Sequence, residues 1–142
     1  MSIQNILDSK GATIITVRAT ETIKGAADRM RLNGIAALLV KSGDAVSGII
    51  SDRDIIDAIS RHGEAALSMP VSDIATHAIT VSPDDSLKRA MSLMTNHRVR
   101  HLLVMTAGRP VGIVSIGDVV KVRLETLETE TNVLRDAYIA AH

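Results

Sequence analysis

The sequence predicts an α/β fold in which two copies of a β-α-β-β-α unit pack through their sheets with pseudo-twofold symmetry, followed by a long C-terminal helix. Three observations lead to this prediction: an internal repeat with an offset of 64 residues, the same order of strand and helix patterns in both copies, and an aliphatic composition without Phe or Trp. One unit alone has a three-stranded sheet with both helices on one face, so two units are needed to bury a shared core.

The internal repeat has no gaps. When the chain is displaced by 64 positions, residues 15–56 align with residues 79–120. The identical pairs include polar and turn residues as well as apolar ones, which similarity of composition alone does not explain. Among these pairs are Ile15 and Ile79, Val17 and Val81, Met30 and Met94, Gly48 and Gly112, Ser51 and Ser115, and Asp54 and Asp118.

Each copy shows the same succession of patterns. A short β-branched run precedes apolar residues at i, i+3, i+4 and i+7, which predicts a strand and then an amphipathic helix. Two apolar runs joined by a glycine-containing turn predict a β-hairpin, and a second helix follows it. Thr20 or Thr22 is the predicted cap of the first helix, and Gly34 its predicted end. The predicted strands are residues 14–17, 36–41, 46–50, 79–81, 100–105 and 110–114.

These patterns also predict the organisation of the chain. The segment between the two copies contains Gly63 and Pro70 and is too short to separate two independent domains. At 142 residues, the chain has the length of one domain with a single core. The predicted parts are repeat one at residues 1–62, a linker at residues 63–71, repeat two at residues 72–122 and a C-terminal helical extension at residues 123–142.

The C-terminal extension has no helix breaker after Gly117. Its apolar positions recur with spacings of 4, 3, 4, 3 and 4, which is typical of a coiled-coil seam with one polar position. The extension either packs on its own domain or helps to hold a homodimer, and the spacing fits both. The seam consists of Val120, Leu124, Leu127, Thr131, Leu134 and Tyr138.

The composition argues against several classes of function. Lys and Arg number 16, as do Asp and Glu, so the chain lacks the net charge with which to bind nucleic acid or an anionic membrane. The absence of Cys and of any long apolar run predicts a cytoplasmic protein. No nucleophile elbow, P-loop or dinucleotide-binding glycine motif occurs, so we predict no enzyme and no catalytic residue. His97 and His101 have a metal-ligand spacing, but no acid or Cys accompanies them, and we predict no metal site.

A Ser-x-x-Asp sequence lies at the junction between a predicted strand and the following helix in both copies, as Ser51 with Asp54 and as Ser115 with Asp118. We call these two four-residue segments the Ser-x-x-Asp steps. One interpretation is a capping box, in which the two side chains satisfy backbone amides of the first helical turn. The other is a ligand site, because a helix N-terminus attracts anions and a carboxylate there can accept both hydroxyls of a ribose. Both interpretations stay open for each copy.

With these residues, the chain resembles a tandem pair of cystathionine-β-synthase (CBS) domains, also called a Bateman module, and in particular the small stand-alone bacterial CBS-pair proteins. The resemblance covers about residues 3–122. It rests on Ile-Thr-Val before each first helix, the two hairpins, the two Ser-x-x-Asp steps and the segment Val71-Ser72-Asp73-Ile74. It implies a sensor of adenosyl ligands that are bound in the cleft between the repeats: AMP, ADP, ATP, NAD(H) or S-adenosylmethionine, with no covalent cofactor.

The resemblance also implies roles for individual residues. The matching Ser and Asp of the family hold ribose and phosphate, which assigns these roles to Ser51, Asp54, Ser115 and Asp118. Adenine would lie between aliphatic side chains, because no aromatic side chain is available for stacking, and strand residues near Ile14 and Ala78 are the candidates that offer backbone polar groups to the base. By the family analogy, Thr76 also lines this pocket.

Phosphate binding is expected to differ between the repeats. Ligand-binding members of the family often carry basic residues on the second strand of a repeat, and repeat two has Arg98, Arg100 and His101 there. Repeat one has Gly34, Ala36 and Ala37 at the equivalent positions and offers Arg53 inside its step instead. We therefore expect Arg53, Arg100 and His101 to contact phosphate.

The expected function is a regulatory module that binds an adenine nucleotide and signals to a partner protein, with a homodimer as the expected assembly. The alternative is a ligand-free CBS pair that dimerises or docks onto a partner, with both steps serving only as helix caps. The two differ in what the aspartates do, since a cap contributes about 1 kcal/mol of stability and has no ligand to lose.

Overall fold

The computed structural model describes residues 1–11 and 13–141. Both repeats show the predicted order β-α-β-β-α, and the predicted strand boundaries differ from the observed ones by one or two residues. The helix Ile3–Lys10, which precedes the first strand, was not predicted. Two short 3-10 helices, Gly63–Ser68 and Val71–Asp73, form most of the predicted linker. The helices and strands are α1 Ile3–Lys10, β1 Thr16–Arg18, α2 Ile23–Asn33, β2 Ala37–Ser42, β3 Ala45–Ser51, α3 Asp52–His62, β4 Thr80–Val81, α4 Leu87–His97, β5 His101–Thr106, β6 Arg109–Ser115 and α5 Ile116–Ala141.

Two three-stranded sheets confirm the α/β class, with strand orders β1-β2-β3 and β4-β5-β6. In each sheet the first strand is parallel to the second, and the second is antiparallel to the third. The register is the same in both, since Val40 pairs with Gly48 in one sheet and Val104 with Gly112 in the other. The repeat seen in the sequence therefore extends to the pairing of individual residues.

Contacts within the chain define two units. The repeat-one unit is Thr13–Ile79, and the repeat-two unit combines Met1–Ala12 with Thr80–His142. Helix α1 thus belongs with the second sheet, where the backbone amide of Ile3 donates to the Asp85 carbonyl at 2.9 Å. This division follows contacts, whereas the predicted repeat boundaries follow sequence similarity and stay a prediction.

An aliphatic core covers one face of each sheet. In the repeat-one unit, the alternate residues Leu38 and Val40 of β2 and Ile50 of β3 pack with the buried face of α2 and α3. Thr22 caps α2 by accepting a hydrogen bond from the Gly25 amide at 3.1 Å, which decides between the two predicted caps. None of the helices in the described ranges is long and apolar enough to cross a membrane.

Candidate functional site

Both Ser-x-x-Asp steps fold into the junction between a strand and the helix that follows it. In repeat one, the Ser51 amide and hydroxyl donate to Oδ2 of Asp54 at 2.8 and 3.0 Å, and the Asp54 amide donates to Ser51 Oγ at 3.3 Å. In repeat two, the Ser115 amide donates to Oδ2 of Asp118 at 2.8 Å, and the Asp118 amide donates to Ser115 Oγ at 3.1 Å. Both steps therefore have the reciprocal bonds of a capping box.

The capping bonds use only part of each carboxylate. Among the described residues, every hydrogen bond that Asp54 and Asp118 accept falls on Oδ2. A carboxylate has about four acceptor positions on two oxygens, so Oδ1 retains capacity for a donor such as a sugar hydroxyl. Both residues are half-buried, which leaves them within reach of a ligand. Capping and ligand binding are therefore compatible at the same residues.

The serines lie on the sheet face opposite to the helices. Ser51 pairs with Ala37 across β2 and β3, and Ser115 pairs with His101 across β5 and β6. Directly paired residues point to the same face, so His101 is the nearest cross-strand neighbour of Ser115. The amide of Ile116 donates to the Arg100 carbonyl at 2.9 Å, which places the Arg100 backbone beside the start of α5.

The basic residues of repeat two do not form a row on one strand. Arg98 directly follows α4 as its C-cap, in the left-handed conformation with φ of 53°, and β5 begins only at His101. The expectation that Arg98 lies on the second strand is wrong, because Arg98 is the left-handed C-cap of α4, and Arg100 directly precedes β5. In repeat one, Arg53 is exposed in the first turn of α3, and its backbone amide donates to Asp52 Oδ1 at 2.8 Å.

The three residues assigned to an adenine pocket are not all close together in the repeat-one unit. Thr76 pairs with Ile49 through two backbone hydrogen bonds of 2.9 and 3.0 Å, which adds it to the outer edge of β3. Ile14 precedes β1 at the other edge of this sheet, so β2 and β3 separate it from Thr76. Ala78 follows Thr76 and is half-buried. The assignment of these residues to adenine stays a prediction.

One residue at the repeat-two step was not anticipated from the sequence. Nζ of Lys10, the last residue of α1, lies 2.8 Å from Asp118 Oδ2 and 3.0 Å from the Ile113 carbonyl oxygen. The equivalent carbonyl in repeat one, that of Ile49, accepts the Thr76 amide instead. The apolar spacing of Ile3, Ile6 and Leu7 is a sequence signal for α1, but no local pattern shows which sheet this helix joins.

Lys10 makes the two steps electrostatically different. Partial burial raises the pKa of Asp118, but the hydrogen bonds from Lys10 and Ser115 and the positive charge of Lys10 outweigh it, so the pKa lies below its ordinary value. Asp118 is therefore a carboxylate at neutral pH. The ammonium group beside it also brings a positive charge to repeat two that has no counterpart at Asp54 within the described residues.

The absence of a metal site stays a prediction. No group of three or more His, Asp or Glu side chains is placed to hold an ion in residues 1–11 and 13–141. His97 ends α4 and His101 starts β5, so the two no longer share one helix face.

The fold and the site together define a class of protein: a duplicated β-α-β-β-α module with a Ser-x-x-Asp step at the start of each repeat's second helix. The CBS domain family matches residues 11–61 and 71–125, and the chain belongs to this family. It is 36% identical over 130 residues to the mitochondrial CBS domain-containing protein CBSX3 of Arabidopsis thaliana, and covers 63% of that protein. It is 30% identical over 115 residues to YhcV of Bacillus subtilis, with 80% of this chain and 81% of YhcV covered.

Solved structures show the same fold. The CBS-domain protein ATU1752 of Agrobacterium tumefaciens superposes with a TM-score of 0.84 at 35% identity, covering 86% of this chain and 92% of that one. PAE2072 of Pyrobaculum aerophilum, solved in complex with AMP, superposes with a TM-score of 0.73 at 26% identity, covering 83% of this chain and 89% of that one. Hypoxic Response Protein I, solved with two coordinated zinc ions, has a TM-score of 0.70 at 26% identity and covers 85% of this chain and 98% of that one.

Proposed function

We propose that this CBS pair is a regulatory module that binds an adenosyl nucleotide through its Ser-x-x-Asp steps and signals its presence to a partner protein. AMP and ATP are the first candidates, with NAD(H) and S-adenosylmethionine as further ones. We propose a binding role without catalytic activity, because the Ser51 hydroxyl and the Asp54 carboxylate bond to each other within the cap of α3. A second copy of the chain and an unidentified regulated protein are the proposed partners.

The observation that carries this proposal is the unused oxygen of each aspartate. A helix cap needs only the bonds to Oδ2, and these are made in both repeats. Oδ1 of Asp54 and of Asp118 can then accept a ribose hydroxyl without loss of the cap. The positive end of the helix dipole at the start of α3 and of α5 also suits a phosphate.

Repeat two is the proposed site of tighter phosphate binding. His101 lies across the sheet from Ser115, Arg100 lies beside the start of α5, and Lys10 contributes an ammonium group at Asp118. Repeat one has Ala36 and Ala37 at the places of Arg100 and His101, and it offers Arg53 inside its step. The structure of PAE2072 with AMP supports a nucleotide with a phosphate as the ligand class.

A thermal-shift titration with AMP, ATP, NADH and S-adenosylmethionine tests the proposal. A ligand at about 100 times its dissociation constant stabilises the folded state by about 2.7 kcal/mol, which raises the midpoint of unfolding by several degrees. A shift with one of the four compounds is the expected result. The matched control is adenosine, which has the ribose but lacks the phosphate, and a smaller shift with adenosine than with AMP is expected.

The alternative function is a CBS pair that binds no nucleotide and only dimerises or docks onto a partner. The exposed seam of α5 supports the dimerisation or docking that this function needs, because Leu127 and Leu134 remain uncovered in the single chain. The two functions separate in one experiment. If none of the four nucleotides shifts the unfolding of a well-folded sample, the steps are caps alone and the nucleotide proposal is wrong.

A further inference from the structure

The C-terminal helix extends well beyond the domain to which it is attached. Val122 is the last buried residue of α5, and every described residue from 127 to 141 is exposed. At 1.5 Å per residue, this exposed part is about 22 Å long. A free helix of about 15 residues is only marginally stable in water, so a contact that covers one face of this part would stabilise it.

The exposed part has one apolar face. Leu124, Leu127 and Leu134 lie on the coiled-coil seam and are 54%, 41% and 71% exposed. Val120 continues the seam towards the domain and is also exposed. Three leucines in a line on one projecting helix are an uncovered binding surface rather than isolated apolar residues.

The charges beside this seam identify its occupant. Arg123 and Glu130 lie on one side of the seam, and Glu128 and Arg135 on the other. In a parallel, in-register pair of helices, a residue on the first side contacts the residue five positions later on the other chain. Arg123 then faces Glu128 of the second copy, and Glu130 faces Arg135 of the second copy. Both contacts join opposite charges, and symmetry makes each of them twice.

The antiparallel arrangement lacks this complementarity. If two antiparallel helices align along the full length of the seam, Leu127 of one helix lies opposite Thr131 of the other. In this arrangement, residues on one side of the seam face residues on the same side of the second helix. Glu130 then faces Glu130 of the second copy, and Glu128 faces Glu128 of the second copy. Like charges at both places disfavour this orientation.

We propose that α5 of one chain forms a parallel, in-register coiled coil with α5 of a second copy along the α5 seam, defined as Val120, Leu124, Leu127, Thr131, Leu134 and Tyr138. This inference is independent of nucleotide binding. The seam spans under three heptads, so the pair is weak by itself and its formation depends on protein concentration. The parallel orientation also brings the two repeat-two units of the dimer to the same end of the coiled coil.

Cysteine cross-linking of the full chain tests both the surface and the orientation. The native chain has no Cys, so Leu127→Cys introduces a single reactive thiol. In the parallel pair, the two thiols face each other across the seam within the range of a disulfide. The matched control, Thr129→Cys, lies on the opposite side of the same exposed helix. Mild oxidation is expected to yield about tenfold more covalent dimer with Leu127→Cys, because only that position satisfies disulfide geometry.

A second experiment tests the contribution of the charged residues by measuring the molar mass of charge variants with size-exclusion chromatography and light scattering. The native chain is expected to be dimeric at high concentration. The variant Arg123→Glu is expected to dimerise more weakly, and the double variant Arg123→Glu with Glu128→Arg is expected to recover the native degree of dimerisation. Three results overturn the inference: a native chain that stays monomeric at the highest concentration reached, equal cross-linking of both Cys variants, or a dimer that Arg123→Glu leaves unchanged.

Discussion

The Nζ atom of Lys10 lies 2.8 Å from Oδ2 of Asp118, although 108 positions separate the two residues. The same ammonium group donates to the Ile113 carbonyl, which holds it against the edge of β6. This contact joins α1 to the repeat-two step, and it places a positive charge at Asp118 that has no counterpart at Asp54 among the described residues.

Lys10→Met is expected to destabilise the protein by about 0.5–1 kcal/mol at neutral pH, because it removes a half-exposed ion pair. The folded-state pKa of Asp118 lies below its unfolded value, so the contribution is present above the unfolded pKa and is lost as the pH falls through the folded pKa. Denaturant unfolding at pH 7 and near pH 2 measures this difference. A loss of the same size at both pH values would contradict the electrostatic account.

The control for this variant is Lys24→Met. Lys24 forms an exposed i,i+4 ion pair with Asp28 on α2, which is a contact of the same chemical type without the link between distant segments. Its removal is expected to change the free energy of unfolding by about 0.3–0.5 kcal/mol, the usual value of such helix pairs.

Asp118→Ala is expected to weaken nucleotide binding more than Asp54→Ala. Loss of a hydrogen bond to a charged group is worth about 1.5–3 kcal/mol, which is about tenfold to a hundredfold in affinity. The larger effect is expected in repeat two because its cationic groups bind the phosphate. Calorimetric titration of both variants with the ligand that stabilises the native chain measures the difference.

Each aspartate is also part of a cap, so a stability control is needed beside the binding measurement. Ser86→Ala removes the cap of α4, where Ser86 Oγ accepts the Arg89 amide at 3.0 Å away from both steps. It is expected to lose about 1 kcal/mol of stability and to keep the native affinity. Equal affinities of Asp54→Ala and Asp118→Ala would overturn the proposed asymmetry.

The equivalent glycines Gly48 and Gly112 are expected to respond differently to Ala. A Cβ at Gly48 would lie 2.5 Å from the Thr76 carbonyl oxygen, whereas one at Gly112 would lie 2.7 Å from Cδ2 of Leu7. Backbone cannot move aside as easily as the end of a leucine, so Gly48→Ala is expected to cost about 2–3 kcal/mol and Gly112→Ala about 1 kcal/mol. Thermal unfolding of both variants tests the order.

Leu7 offers an internal check on this explanation. If Gly112→Ala acts by crowding Leu7, the double variant Gly112→Ala with Leu7→Ala loses less unfolding free energy than the two single variants together. Strict additivity would show that the cost at Gly112 has another origin.

The equivalent helix ends Gly34 and Arg98 give a fourth test. Both residues are left-handed, with φ of 61° and 53°. No atom outside its immediate neighbours lies within 4 Å of a Cβ at Gly34, so Gly34→Ala is expected to cost about 1 kcal/mol through the backbone alone. Arg98→Gly relieves the same conformation and is expected to stabilise by about 0.5 kcal/mol. Chemical denaturation of both variants measures the pair, and a destabilised Arg98→Gly would contradict the explanation.

Much of the fold follows from patterns within a few residues. The strands, helices and hairpins of the two repeats could be predicted because the spacing of apolar residues and the positions of turn glycines determine local structure. The same strand register in both sheets confirms the repeat. The capping boxes are equally local, since Ser51 and Asp54 are three residues apart. Arg98 was misplaced because the end of α4 is set by a left-handed residue that the sequence does not mark with glycine.

By itself, the sequence determined the duplication, the α/β class and the residues of both Ser-x-x-Asp steps, because each depends on spacing along the chain. The tertiary structure alone decided that α1 joins the repeat-two unit and that Lys10 reaches Asp118. It also decided that the Ile49 carbonyl of repeat one accepts a hydrogen bond from the Thr76 amide, whereas the equivalent Ile113 carbonyl accepts one from Lys10. These contacts join segments far apart in sequence, and they form because packing a buried helix face or sheet edge brings such segments together. No local spacing encodes which partner each edge receives.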